Sequence, residues 1–308
     1  MEASTNHSAP PGHPAVSVIR KVEELPSLPG VVARLNEMVA DPEVSVDEIV
    51  RVISLDQSLT TRILKVVNSA YYGFPRRIST IRHALIVLGL NEIQQMILGT
   101  AVIELFKDSC DGAGFDIWRF WEHSLACAFA AKGMARTFHH RVTGELFVAG
   151  LLHDIGKVVL ARYLPGEFSQ VVGRVVDHRF TSAEAEEACM GITHAELGYL
   201  LADHWNLPLS ISQAIRDHHD PARSTETPLI SAVVHLADLV AIRNGLDTGD
   251  PWWDDPVLDR RAWNTLKGRK LDLDETDIEG FSSELKRCRH QIDEFLERPE
   301  GSSPHTRG

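Results

Sequence analysis

The chain has 308 residues, enough for one large domain or two ordinary ones, and 44% of them are hydrophobic, so an extensive core can form. Its formal net charge at pH 7 is -12. This acidic balance argues against a broad nucleic-acid-binding face, because a phosphate backbone requires an excess of Lys and Arg. We therefore predict no direct nucleic-acid partner, although a small cationic pocket stays compatible with this charge.

The cysteines and the apolar runs indicate the compartment. The four cysteines are far apart and form no CxxC pair, which fits a reducing compartment better than a disulfide framework or a zinc ribbon; they are Cys110, Cys127, Cys189 and Cys288. No stretch reaches the roughly 20 apolar residues of a membrane span, and the N-terminus lacks the apolar core of a signal peptide. We predict a cytoplasmic protein with no membrane partner.

Residues 1–21 and 298–308 are predicted to be disordered, because their polar, Pro- and Ser-rich composition cannot form a core. Residues 22–106 predict about five short helices with tight turns. Ser45 and Glu48 form the pattern of a capping box, Asp56 precedes a further helix start, and Asn91 is predicted as the N-cap after a Gly-Leu turn.

A polar connection follows residue 106, and the predicted helices then become longer. They cover 116–138, 143–163, 165–178, 182–188, 194–205, 208–219 and 228–244. Residues 246–297 are predicted as a loop rich in Asp, Pro and Trp followed by a helical extension. Alternating strand patterns are nearly absent. The predicted fold class is all-α, with a small N-terminal helical bundle (22–106) packed on a larger helical lobe (107–245).

Seven histidines and aspartates stand out, because each lies in or beside a predicted helix and within an apolar frame. They are His123, His153, Asp154, His194, His218, His219 and Asp238. A buried imidazole or carboxylate is costly unless it is paired or bound to metal. Imidazole and carboxylate side chains together suit a divalent metal, with iron or manganese favoured and zinc the further option.

Two of these residues suggest a chemistry. Asp154 can bridge two ions while histidines complete each shell, and metal-bound water would then be acidified into a nucleophile. Lys157 follows three residues later near the same helix face, where it can hold a phosphate oxygen if the protein is an enzyme. The opposite interpretation is that each histidine is a satisfied core residue. His235, for example, fits a structural residue or an outer residue of the site, which Asp238, one turn further on, would orient.

The order of these residues resembles the HD phosphohydrolase superfamily, with His153-Asp154 inside GlyLeuLeuHisAspIleGlyLys. Other segments sharpen the resemblance to its HDOD branch, the HD-related output domain; they are 23–30, 54–74, 78–89 and 191–208. The resemblance covers about residues 22–245. It implies a helical lobe packed on an HD-like lobe, in a bacterial signal-transduction module without a settled enzymatic activity.

The resemblance also sets a limit. Related HD-GYP proteins hydrolyse cyclic di-GMP with a two- or three-metal site. Here IleArgAspHisHisAsp (215–220) is followed by ProAlaArgSerThrGluThrPro, with no Gly-Tyr-Pro motif. We therefore do not expect hydrolysis of cyclic di-GMP, although the ligand-type residues are present position by position.

The segment 68–77 combines Tyr71, Tyr72 and two adjacent arginines. Aromatic and Arg side chains together are typical of an interaction hot spot. Equally, the Gly-Phe-Pro in this segment is ordinary helix-stop chemistry, and the tyrosines would then fill the gap between the lobes.

Three functions are compatible with these patterns. The first is a regulatory signalling module that acts through contacts with other signalling proteins or a nucleotide-type ligand. The alternative is a metal-dependent phosphohydrolase acting on a nucleotide or phosphodiester. The third is a metal or haem-like group held as a structural element or sensor. No phosphate loop or other second catalytic motif is present in the sequence.

Overall fold

The structure is a computed structural model that describes residues 26–248, 262, 265–266 and 275–296. Short gaps inside the first range cover 40, 42, 69–71, 73, 108–114, 138–142, 177–179 and 225–226. The predicted disordered segments 1–21 and 298–308, and most of the predicted loop after residue 245, lie outside the described residues.

The all-α prediction is confirmed: the described residues form fifteen α-helices, one 3-10 turn and no strand. Five short or medium helices make up the N-terminal part: α1 Gly30–Val39, α2 Val46–Ser54, α3 Gln57–Val67, α4 Ile81–Leu88 and α5 Leu90–Phe106. Helix α5 is buried on nearly every side because α1, α3, α4 and the second lobe all pack against it.

Side-chain caps define two of the starts. Ser45 and Glu48 form the predicted capping box at α2. The Asp56 carboxylate accepts a hydrogen bond from the Leu59 N–H at 2.9 Å and caps α3. The prediction for Asn91 is wrong. Gly89, at a φ of 84°, is the residue before α5, and Asn91 lies within the first turn, because glycine turns the chain two residues earlier.

The larger lobe contains eight α-helices and the 3-10 turn. They are α6 Ile117–Thr137, α7 Thr143–Leu152, α8 Ile155–Tyr163, α9 Pro165–Val176, α10 Ser182–Met190, α11 His194–His204, α12 Leu209–Asp217, the 3-10 turn Pro221–Arg223 and α13 Pro228–Arg243. Helix α6 is central and packs along both α7 and α13. Within the described residues, none of the helices combines the length and apolarity needed to cross a bilayer.

The predicted single helix 143–163 is two helices in the structure, separated at His153 and Asp154. Consecutive residues of a continuous α-helix point about 100° apart. The break removes that constraint, so both side chains face the same interior region. No Gly or Pro marks the break in sequence, and for this reason helical periodicity missed it.

The C-terminal extension forms α14 Glu275–Arg287 and α15 Arg289–Leu296, whereas the sequence predicted one helix. The change of direction occurs at Cys288, which is buried. Helix α15 packs against α6 of the larger lobe and α3 of the smaller one, so this extension contacts both lobes.

A buried polar cluster joins the lobes, and we call its three residues Tyr72, Glu92 and Lys132 the Glu92 cluster. The Tyr72 hydroxyl donates to the Glu92 carboxylate at 2.6 Å, and the Lys132 ammonium forms an ion pair with the same oxygen. The side chain of Asn68, four residues before Tyr72, makes hydrogen bonds to both the backbone N–H and the backbone C=O of Ile78. These contacts favour the gap-filling interpretation of segment 68–77; Tyr71 lies outside the described residues.

Candidate metal centre

Five elements of the larger lobe contribute the seven histidines and aspartates selected from the sequence. Helix α6 carries His123, the break between α7 and α8 carries His153 and Asp154, α11 begins at His194, α12 is followed by His218 and His219, and α13 carries Asp238. The structure brings all seven together in two adjoining groups. Their roles as metal ligands stay a prediction.

The first group consists of His123, His153 and Asp238, with Cys127 beside them. The Nε2 atom of His123 lies 3.4 Å from Nε2 of His153 and 3.3 Å from Oδ1 of Asp238. The distance from His153 Nε2 to the same Asp238 oxygen is 4.0 Å. Three side-chain atoms therefore surround one small space: Nε2 of His123, Nε2 of His153 and Oδ1 of Asp238.

The second group consists of Asp154, His194, His218 and His219. Asp154 Oδ1 lies 3.2 Å from His194 Nε2 and 3.6 Å from His218 Nε2, and the Nε2 atoms of His194 and His219 are 2.9 Å apart. The other oxygen of Asp154, Oδ2, lies 3.5 Å from His153 Nε2 in the first group. Asp154 therefore stands between the groups, as its predicted bridging role requires.

Backbone carbonyls fix the orientation of three of the imidazole rings. Nδ1 lies 2.7 Å from Leu246 O in His123, 2.8 Å from Gly150 O in His153 and 2.6 Å from Ile215 O in His218. A carbonyl oxygen can only accept, so each Nδ1 donates and each Nε2 faces inward, where it carries a lone pair whenever the ring is neutral.

Two atoms that face the centre stand out within the part of the chain described. Asp154 Oδ1 and His218 Nε2 are buried and make no hydrogen bond of good geometry there. Unsatisfied polar atoms of this kind are rare in folded proteins. A cation bound beside Asp154 Oδ1 and His218 Nε2 would satisfy both atoms, so the donor set fits a divalent metal.

Two glycines allow the helices to approach closely enough to form the second group. A Cβ on Gly156 would lie 2.0 Å from the His194 carbonyl oxygen, and a Cβ on Gly198 would lie 2.8 Å from the Ile215 side chain. Any larger residue at Gly156 would push α8 away from the start of α11. The Gly in the HisAspIleGlyLys motif thus determines how near Asp154 lies to His194.

Glu186 is a member of the site that the sequence analysis missed. It is completely buried in α10 and accepts hydrogen bonds from the backbone N–H and the Nδ1 of His194, both at 2.7 Å. Burial alone would lower the pKa of His194, but the Glu186 carboxylate outweighs it and raises that pKa to about 9. An outer carboxylate of this kind orients a metal-binding imidazole and makes its free nitrogen more basic.

The remaining charges suit a cation site. Burial opposes ionisation of Asp154, but the Lys157 ammonium, 2.7 Å from its Oδ2, outweighs burial and holds the pKa of the carboxyl well below its usual range. Burial lowers the pKa of His153 to about 4, since the nearby Asp154 only partly offsets the cost of charging an enclosed ring. At neutral pH the carboxylate is ionised and His153 is neutral, the states in which both bind metal.

Exposure differs little across the centre. Five of the seven residues are buried, and only His219 and Asp238 are partly exposed, Asp238 by 13% of its side chain. Cys127 is also buried, and this burial raises the pKa of its thiol to about 11. His235, predicted as a structural or outer residue that Asp238 orients, has its Nδ1 2.6 Å from the His218 carbonyl oxygen, to which it donates.

Comparison with known proteins gives the family. The HDOD domain model matches residues 25–221, more than half of the chain. The chain therefore belongs to the HDOD family.

Individual proteins are also similar to this chain. A crystal structure of an HDOD domain protein with unknown function from Geobacter sulfurreducens is 32% identical, with a TM-score of 0.78 over 91% of this chain and 98% of that one. A Shewanella amazonensis structure, provisionally named a phosphohydrolase, is 22% identical and has a TM-score of 0.72, covering 92% and 98% of the two chains. An uncharacterized Treponema pallidum protein is 28% identical over 71% of this chain, which spans only 42% of that protein's length.

Proposed function

We propose that the chain is a regulatory HDOD module whose buried His–Asp centre holds one or two divalent metal ions. The observation that carries the proposal is the orientation of the imidazoles. His123, His153 and His218 each donate from Nδ1 to a backbone carbonyl, so their Nε2 atoms converge on one interior region. When bound, a divalent ion there would supply positive charge and Lewis acidity.

Burial favours regulation over hydrolysis. A nucleotide would have to reach groups of which five in seven are buried, and Lys157, the candidate phosphate ligand, already donates to Asp154. A buried centre is better suited to stabilising one arrangement of the surrounding helices, because an ion that binds only the folded arrangement shifts the equilibrium towards it. A partner protein would then recognise the surface of that arrangement.

The alternative is a metal-dependent phosphohydrolase. The presence of every ligand-type residue supports it, and the provisional name of the Shewanella protein points the same way. At 22% identity, however, that likeness shows the fold alone.

Metal analysis of the full chain, purified without a histidine tag, tests the proposal. We expect close to stoichiometric metal, with iron or manganese favoured by the mixed imidazole and carboxylate donors. The matched variant is Asp154→Asn, which keeps the shape but removes the charge between the two groups. We expect it to lose most of the metal.

The loaded protein is then incubated with a panel of nucleotides and cyclic dinucleotides. No turnover, together with metal in the wild type, supports the regulatory function. Turnover that Asp154→Asn abolishes would replace it with the hydrolase. A wild type that contains no metal and takes up none of the added iron, manganese or zinc would refute the metal centre itself.

A further inference from the structure

We propose that Cys127 is a metal ligand, and that with His123, His153 and Asp238 it forms a tetrahedral zinc site chemically different from the second group. This inference deepens the proposed function, because it assigns a metal to one half of the same centre. It adds to that half a sulfur ligand that the sequence analysis did not select.

Helical geometry places the thiol in the first group. Cys127 follows His123 by four residues in α6, so the two side chains lie on the same helix face. The Cys127 sulfur is 3.5 Å from His123 Nε2, and that Nε2 is the atom facing His153 and Asp238. One turn of α6 thus supplies a nitrogen and a sulfur to the same space.

The separations of the four donor atoms match a tetrahedral site. Zinc lies about 2.0–2.3 Å from nitrogen, oxygen and sulfur ligands, so the ligands of one ion are about 3.3–3.7 Å apart. Three of the measured separations are 3.3, 3.4 and 3.5 Å, a fourth is 4.0 Å, and all four atoms lie within 4.8 Å of one another. Small side-chain rotations would place an ion among them.

The second group has a different chemistry. It offers one carboxylate and three imidazoles, and no sulfur: Asp154, His194, His218 and His219. A thiolate selects a soft or borderline ion such as zinc, whereas a site of nitrogen and oxygen donors accepts iron or manganese. The two halves of the centre would therefore hold different metals. Binding at the first half releases the Cys127 proton to solvent.

Two titrations of the metal-free full chain test the proposal. Cobalt(II) is the probe, because a bound thiolate gives it a charge-transfer band in the near ultraviolet, and Cys127→Ser is the variant. We expect the band in the wild type and not in the variant. Zinc affinity should fall by more than the roughly 10–100-fold that is typical of losing an outer partner of a ligand. Cys288→Ser, which changes a buried cysteine outside the centre, is the control and should keep the band.

X-ray absorption at the zinc edge of the wild type requires no variant and decides the matter if Cys127→Ser fails to fold. A sulfur scatterer at about 2.3 Å is expected. Cobalt or zinc binding without a thiolate band and without a sulfur shell would overturn the role of Cys127 and leave the metal centre standing. No uptake of either ion would overturn the zinc site, and the metal centre itself falls only if iron and manganese are not taken up either.

Discussion

The Glu92 cluster and the His–Asp centre both hold ionisable side chains in the interior of the described residues, and their polar atoms point in different ways. In the Glu92 cluster, Tyr72 and Lys132 both donate to one carboxylate, so the charges are neutralised within the cluster. In the His–Asp centre, three imidazoles direct Nδ1 outward to backbone carbonyls and Nε2 inward. The first arrangement stabilises a contact between lobes. The second presents donor atoms of the kind that hold a cation.

The largest expected effect comes from breaking the geometry of the centre. A Cβ added by Gly156→Ala would lie 2.0 Å from the His194 carbonyl oxygen, so the helices must separate. We expect the free energy of unfolding to fall by about 3 kcal/mol or more, and metal binding to be lost. Urea denaturation and metal analysis measure both.

Gly173→Ala is the matched control, because a Cβ there meets open space within α9. It should raise stability by up to about 1 kcal/mol, since alanine favours a helix. Equal stability of Gly156→Ala and the wild type would contradict the close approach of α8 and α11.

Lys132→Met breaks the other cluster. It removes the cation from a side chain that is only 6% exposed and leaves the Glu92 carboxylate partly buried without its ion pair. We expect a loss of about 3 kcal/mol in unfolding free energy, with metal content unchanged. Arg34→Met is the control: its ion pair with Glu37 is 63% and 68% exposed, so its loss should be almost undetectable. Metal loss in Lys132→Met would mean that the clusters are not independent.

Adding and removing metal sharpens the comparison. At a free ion concentration one hundred times the dissociation constant, manganese or iron should stabilise the wild type by about 2.7 kcal/mol, and a chelator should reverse this. Lys132→Met should show the same increment, while Asp154→Asn should not. Melting curves with and without ion measure it. A wild-type curve unaffected by both ion and chelator would count against a loaded centre.

Tyr72→Phe should have the smallest effect. It removes one hydroxyl, whose hydrogen bond to Glu92 is 2.6 Å long, and leaves the ring in place. A loss of about 1 kcal/mol is expected from chemical denaturation, with metal content unchanged. A loss several times larger would show that the hydroxyl organises the whole cluster.

Much of the fold was predictable because its signals are local. The Ser45–Glu48 capping box and the Asp56 cap act within one helical turn, and apolar periodicity marks the buried faces. Asn91 shows the limit of such signals. Asparagine is a good N-cap residue, but the positive φ of Gly89 sets the start of α5 two residues earlier than an Asn91 cap would.

The sequence predicted the seven histidines and aspartates of the centre, but it did not predict the groups that contact them. The seven polar residues stand out against apolar frames. Glu186 does not, because it is one of three glutamates in a helix that is otherwise unremarkable in sequence. Cys127 could have been found, since it follows His123 by one helical turn. The carbonyl partners of the imidazoles are backbone atoms, and no pattern of side chains indicates them.

The hydrogen bond between His123 and the Leu246 carbonyl has a practical consequence for the choice of truncated fragments of this protein. The recognised family segment stops at residue 221, but Asp238 and the Leu246 carbonyl that orients His123 both come later in the chain. A fragment cut at that border would retain the signature HisAsp motif yet lack one carboxylate and leave one ring free to turn. Sequence landmarks and the smallest functional piece of this molecule therefore do not coincide.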